Sequence, residues 1–81
     1  MVLYKYKIDK GVIRIKNNVK LYRVIKGVSQ IEMANDLKLS QQTVSKIENG
    51  YSTNLKTAKK IADYFGKSID EIFFNKEYYF K

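Results

Sequence analysis

Eighty-one residues make one domain, and a chain of this length buries only about 60% of the surface that its unfolded form exposes. With neither cysteine nor histidine, a disulfide framework is excluded and a zinc site has no usual ligands, so stability must come from a compact core. Sixteen Lys and Arg against eight Asp and Glu leave a formal charge of +8, which favours polyanions, nucleic acid first and an anionic membrane surface second, and also serves solubility.

The charge is uneven along the chain. Residues 1–16 carry five cations and one acid, so half of the excess sits in that stretch. Residues 3–8, LYKYKI, alternate apolar or aromatic side chains with Lys at period two, a strand pattern. Asp9, Lys10 and Gly11 form a plausible turn, and Val12 to Ile15 is again β-prone. The expectation is a short hairpin, or one strand that pairs elsewhere. This N-terminus lacks the apolar run of a signal peptide and no segment is apolar enough to span a bilayer, which points to a soluble, cytoplasmic protein.

A first helix is predicted to be capped by Asn17 or Asn18, to run through about Lys26, and to stop at Gly27. Val19, Tyr22 and Ile25 are expected to face inward. Residues 29–50, SQIEMANDLKLSQQTVSKIENG, then hold two helical patterns split by a tight turn. Ser29 with Glu32 makes a capping box, in which the serine takes an amide of the first turn and the glutamate reaches back. Met33, Ala34 and Leu37 form one apolar face. Lys38-Leu39 is too short for anything but a turn, Ser40 caps a second helix, and Gly50 closes it after Asn49.

That second helix divides its side chains unusually. Thr43, Val44 and Ile47 gather on one side, while Gln42, Ser45, Lys46 and Asn49 gather on the other with Gln41 at their flank. Solvated helix faces usually mix Glu and Lys; this one consists of amides, a hydroxyl and a cation. Gln and Asn can bond adenine bidentately, Lys can take guanine, and Ser either. The face has the chemistry of a base-reading surface.

Residues 51–54 form a polar loop ending in a capping Asn54. Leu55, Ala58, Ile61, Ala62 and Phe65 follow helical spacing up to Gly66, and a second capping box, Ser68 with Glu71, opens a short helix whose Ile69, Ile72 and Phe73 point in. Five helices with brief links make an all-α domain. The aromatic end, Phe74 with Tyr78, Tyr79 and Phe80, is β-prone and costly to leave in water. A strand paired with the N-terminal one is expected there, or packing on the helices or on another subunit.

The matching residues Ser29-Gln30, Met33-Ala34, Leu37, Leu39-Ser40, Val44-Ser45 and Ile47-Glu48-Asn49-Gly50 resemble the helix-turn-helix of the phage Cro/repressor (XRE-type) family of DNA-binding proteins. The resemblance extends from about residue 18 to residue 73. It implies a five-helix, lambda-repressor-like DNA-binding domain over residues 17–74, with the helix-turn-helix at 29–50. A basic β-prone extension (1–16) and an aromatic one (75–81), which can pair with each other, would flank it. It further implies a sequence-specific regulator of double-stranded DNA, a repressor that binds a pseudo-palindrome through the major groove as a homodimer. Arg23 falls where the family carries the partner of the glutamate in the Glu-Asn-Gly triplet, here Glu48. Such a pair, partly exposed, contributes about 0–1 kcal/mol and serves chiefly to orient two helices. On the DNA, Gln30 would contact a phosphate and brace Gln41. Gln41 and Gln42 would read base edges, Gln41 an adenine, with Ser40 and Thr43 beside them and Thr43 half-buried. Lys46 would take a guanine or a phosphate, Ser45 a base or thymine methyl, and Asn49 the backbone.

Three departures from the family pattern stand out. Lys38 occupies a turn position that usually holds Gly. The loop after Gly50 is one residue shorter than common and lacks the usual proline. No Arg or Lys lies between Gly50 and Leu55, so Tyr51 would have to substitute in any backbone contact by that loop. Phe74, Tyr78, Tyr79 and Phe80 are the candidates for a dimer surface, and burial within the monomer is the alternative. A competing function is a protein-interaction module, an antitoxin or adaptor, or a target for an antirepressor, built on the same helices. Nothing in the sequence calls for a cofactor, a metal or an enzyme: it has no phosphate-cradling Gly loop and no His or Cys nucleophile.

Overall fold

The computed structural model describes residues 6–9, 12–15 and 17–74. Strands β1 (Tyr6–Asp9) and β2 (Val12–Ile15) pair antiparallel, with Tyr6 opposite Ile15 and Asp9 opposite Val12. Of the two N-terminal expectations, the hairpin is the one formed. The pairing foreseen between the two chain ends involves residues outside the described set. Five helices follow: α1 (Val19–Lys26), α2 (Gln30–Leu37), α3 (Gln41–Glu48), α4 (Leu55–Phe65) and α5 (Ile69–Phe73).

Local chemistry sets almost every helix start. Ser29 Oγ accepts the Glu32 amide at 3.0 Å while the Glu32 carboxylate accepts the Ser29 amide at 2.8 Å, and Ser68 and Glu71 repeat the arrangement. The backbone N–H of Ser68 and its hydroxyl, with Lys67 nearby, hold the Glu71 carboxyl below its ordinary range. Ser40 and Asn54 accept the amides of Thr43 and Thr57. Each cap satisfies an amide that the helix itself cannot.

The start of α1 is built differently. Asn17 Oδ1 accepts the Val19 amide at 3.0 Å, and its Nδ2 donates to the carbonyl of Ile47 at the end of α3, 2.8 Å away. Asn18 occupies the N-cap position but sends its side chain elsewhere. It is buried, donating through Nδ2 to the Glu71 carbonyl at 3.0 Å and through its backbone N–H to Ile72 at 2.7 Å. The two asparagines, alternatives in the sequence, divide the work: one caps and holds α3, the other holds α5.

The core gathers one to three apolar side chains from every helix: Val19; Met33, Ala34 and Leu37; Val44 and Ile47; Ile61 and Ala62; and Ile72. Tyr22, Leu39, Phe65, Ile69 and Phe73 pack around it. Ile25 does not join them. It is 69% exposed, against the expectation from its apolar character. Six residues at 100° each place it about 120° from Val19, and the inward edge of α1 belongs instead to Arg23.

The α2–α3 turn is closed by Lys38, at φ 58° and ψ 43°, the one non-glycine residue with positive φ among those described. Its amide and that of Leu39 return to the carbonyl of Ala34, ending α2 as a C-terminal glycine would. On the other side of α2, Tyr64 donates its hydroxyl to Asp36 at 2.6 Å and joins α4 to α2. Burial, then that hydrogen bond, then the charges of Asp36 and Glu32 push the phenol up to about 12.

Two outcomes test these junctions. Lys38→Gly relieves the left-handed backbone and should raise unfolding free energy by about 1 kcal/mol in a urea titration. For Tyr64 the raised folded pKa means that its contribution is complete below the unfolded value of about 10 and is lost as pH climbs toward about 12. The stability advantage of wild type over Tyr64→Phe should therefore shrink across that window, and a difference that stays constant there would refute the assignment.

Candidate nucleic-acid interface

The geometry of α3 follows from its two faces. Val44 and Ile47 are buried, Thr43 and Ser45 are half-buried, and Gln41, Gln42, Lys46 and Asn49 are exposed. Its sequence holds a single acid, Glu48, and that carboxylate is turned into the protein: the side chain is 4% exposed. The outward face therefore presents amides and an ammonium with no negative charge among them.

Glu48 is the centre of a network joining three helices. Arg23 Nε of α1 donates to Glu48 Oε2 at 2.5 Å, with Nη2 a longer 3.4 Å from Oε1. Arg23 Nη1 donates to the Val28 carbonyl at 2.9 Å, fixing the α1–α2 link. Gln30 Nε2 of α2 donates to Glu48 Oε1 at 3.0 Å. Gln30 Oε1 in turn faces Gln41 Nε2 across a long 3.4 Å contact. Side-chain exposures of 12% for Arg23 and 4% for Glu48 make this a buried pair, not the partly exposed one expected from the sequence. Its removal is correspondingly more costly.

The network fixes a direction. A carboxylate paired with a guanidinium only accepts, so Gln30 must offer it the amide NH₂. The Gln30 oxygen then faces Gln41, and Gln41 must answer with an N–H. What remains to Gln41 at the surface is one N–H and its carbonyl oxygen, the donor–acceptor couple that complements adenine N7 and N6. The dipole of an exposed side chain is thus set by a buried ion pair two residues away in the chain of contacts.

Ser40 and Thr43 are occupied with each other, Oγ to Oγ1 at 2.8 Å, in addition to the cap. Asn49 is bound to its own helix: Nδ2 donates to the Ser45 carbonyl at 3.0 Å, and its backbone N–H goes to Ser45 and Lys46. That leaves Asn49 its Oδ1, an acceptor, and the second N–H of Nδ2, a donor. Gly50 follows at φ 93°. Lys46 and Gln42 reach outward from the middle of the face. Phe74 follows the end of α5 and is 53% exposed, lining one cleft with the loop that leaves α3. The other dimer candidates, Tyr78, Tyr79 and Phe80, fall outside the described residues.

Sequence reasoning missed three contacts that position this unit. Asn17 on the Ile47 carbonyl ties down the end of α3. Lys60 Nζ donates to the Leu37 carbonyl at 2.6 Å and ties down the end of α2. Tyr64 on Asp36 does the same from α4. All are between side chains and groups far apart in the chain, for which local pattern gives no signal. Among the described residues, no cluster of His, Cys, Asp and Glu could hold a metal ion, and no helix is long and apolar enough to cross a membrane.

Two short helices joined by a left-handed turn, the second presenting a polar, acid-free face, define a helix-turn-helix unit. Residues 19–72 match the helix-turn-helix family, and the chain belongs to it. It is also similar to an uncharacterized HTH-type transcriptional regulator of Methanocaldococcus jannaschii, 43% identical over 60 residues that cover 73% of this chain and 91% of that protein.

The buried pair yields a direct test. Arg23→Met leaves Glu48 unneutralised in a nearly dry site and should cost about 3 kcal/mol of stability by chemical denaturation. Adding Glu48→Leu should recover much of it. The exposed i,i+4 pair Lys59–Asp63, both side chains more than 60% exposed, is the control, and Lys59→Met should change stability by less than about 0.5 kcal/mol.

Proposed function

We propose that the protein is a sequence-specific, double-stranded DNA-binding transcriptional regulator acting as a repressor in the cytoplasm. Residues 17–74 form the DNA-binding unit, and the extensions 1–16 and 75–81 serve assembly. The observation that carries this reading is the acid-free outward face of α3, with Gln41 oriented through Gln30 by the Arg23–Glu48 pair. Membership of the helix-turn-helix family and the charge of +8 support it.

In this reading α3 lies in the major groove. Gln41 reads an adenine with its remaining N–H and oxygen, and Gln42 reads the neighbouring base edge. Lys46 takes a guanine or a phosphate, and Ser45 a base or thymine methyl. Gln30 lies at the start of α2, where free amides favour a phosphate. Ser40 and Thr43 approach the backbone at the start of α3, and Asn49 with the amides near Gly50 does so at its end. One unit spans only a few base pairs, so two copies related by a two-fold axis bind half-sites about 34 Å apart on a pseudo-palindrome.

The test is selection of bound duplexes from a randomised pool at about 0.15 M salt, where weak electrostatic binding is screened. Wild type should enrich an inverted repeat. Gln41→Ala should relax one symmetric position, with a loss of about 1–3 kcal/mol of discrimination there. Lys46→Ala, if the contact is to phosphate, should weaken all sequences alike and flatten the salt dependence. Salt-sensitive binding without any enriched motif would overturn the reading and leave a protein partner as the target of this face.

A further inference from the structure

The N-terminal hairpin is a two-stranded ribbon, a form that is marginal in water by itself. Residues opposite each other in such a ribbon share a side, and successive residues alternate between the two sides. The register therefore sets Tyr6, Ile8, Ile13 and Ile15 on one side and Lys7, Asp9, Val12 and Arg14 on the other. On that second side Lys7 stands directly opposite Arg14. Like charges so placed destabilise the pairing, and the rung calls for an anion from outside the ribbon.

The helices have few carboxylates to spare for it. Glu32 and Glu71 accept the amides of their capping boxes, Asp36 the hydroxyl of Tyr64, Glu48 the guanidinium of Arg23, and Asp63 the ammonium of Lys59. Asp9, the one acid among residues 1–16, stands opposite Val12 at the turn end of the ribbon and leaves this side net positive. The other end is tied to the reading unit. Asn17 donates to the Ile47 carbonyl at 2.8 Å, in the last turn of α3. Arg14 is three residues before Asn17, so the chain keeps its Cα within roughly 11 Å of that anchor. The cationic rung is thereby held close to the end of α3, where the reading above brings Asn49 and Gly50 to the DNA backbone.

We infer that the Lys7–Arg14 rung binds phosphates of the duplex that α3 reads, beside the C-terminal end of that helix. The inference rests on the DNA-binding reading above and adds a second element to it. The base contacts belong to α3, while the ribbon supplies sequence-independent attraction and fixes the protein's register on the backbone. It also makes good a lack in the sequence. No Arg or Lys lies between Gly50 and Leu55, and the rung brings two cations to the same end of the helix. The apolar side of the ribbon is left to the assembly role of the extension.

The test compares the full chain with its Lys7→Gln, Arg14→Gln double variant, each titrated on a duplex from the selected pool and on an unrelated duplex. Each phosphate contact contributes about 0.9 to the slope of log K against log salt, so the double variant should flatten it by about 1.8 on both. The advantage of wild type should accordingly shrink about twelvefold between about 50 and 200 mM salt. The enriched motif should stay the same. Lys7→Arg with Arg14→Lys keeps both charges and should keep the slope. Lys59→Gln with Lys67→Gln removes equal charge elsewhere and should leave the slope nearly unchanged. Ethylation of single phosphates flanking each half-site should weaken binding by wild type and not by the Lys7→Gln, Arg14→Gln chain. Thermal unfolding is the folding control, since neutralising a like-charge rung should not lower Tm. Equal slopes for wild type and that chain would overturn the inference, as would an equal flattening by the Lys59 and Lys67 control. So would binding to phosphatidylglycerol vesicles that depends on the rung while DNA binding does not. A flattened slope without any enriched motif would instead sink the sequence-reading proposal and leave this one standing.

Discussion

The Arg23–Glu48 pair is the constraint around which the domain is arranged. A carboxylate at the C-terminal end of α3 is unfavourable to the helix dipole and, nearly dry, unfavourable to solvation. It is tolerable because a guanidinium from α1 and an amide from α2 meet it there. Three helices are therefore fixed at one point by groups whose geometry is planar and directional, while the apolar core beneath them fixes only their distance. The core makes the domain compact; the pair decides at what angle α3 is presented.

The consequence reaches the surface through Gln30. Its amide can satisfy Glu48 in one orientation only, and its oxygen is then committed to Gln41. Polar side chains on exposed helices usually sample several rotamers at some cost in binding entropy. Here the chain of hydrogen bonds restrains one of them before any ligand arrives, and its burial of charge supports the arrangement instead of competing with it.

Much of this was legible in the sequence where the determinant is local. Capping boxes at Ser29 and Ser68, caps at Ser40 and Asn54, and stops at Gly27 and Gly66 depend on groups three or four residues apart, and a linear pattern displays them. Lys38 was legible as a departure, and its backbone adopts the left-handed geometry that the turn demands. Ile25 was misread because hydrophobicity was given more weight than phase: at its angle on α1 it lies outside the packed face, and a charged Arg23 takes the inward edge. The junctions made by Asn17, Asn18, Lys60 and Tyr64 had no sequence signature, since each joins a common polar residue to a carbonyl or carboxylate between 23 and 53 residues away. The position of α3's polar face followed from periodicity; the orientation of its amides did not, because it depends on contacts with α1 and α2.

The double tether of Asn18 to α5 has a kinetic consequence. The caps at Ser29, Ser40, Asn54 and Ser68 are closed by neighbours in sequence and form quickly, and the chain contains no proline to impose a slow isomerisation. Among the described residues, the bonds from Asn18 to Glu71 and Ile72 close the longest loop. Loop-closure entropy makes that junction late to assemble and early to open. Its opening would free α5 from the first helix while α2 and α3 remain held together by Glu48 and Gln30, and α2 to α4 by Lys60. The protein thus has a seam: a route of partial unfolding that runs between the α2–α3 unit and α5.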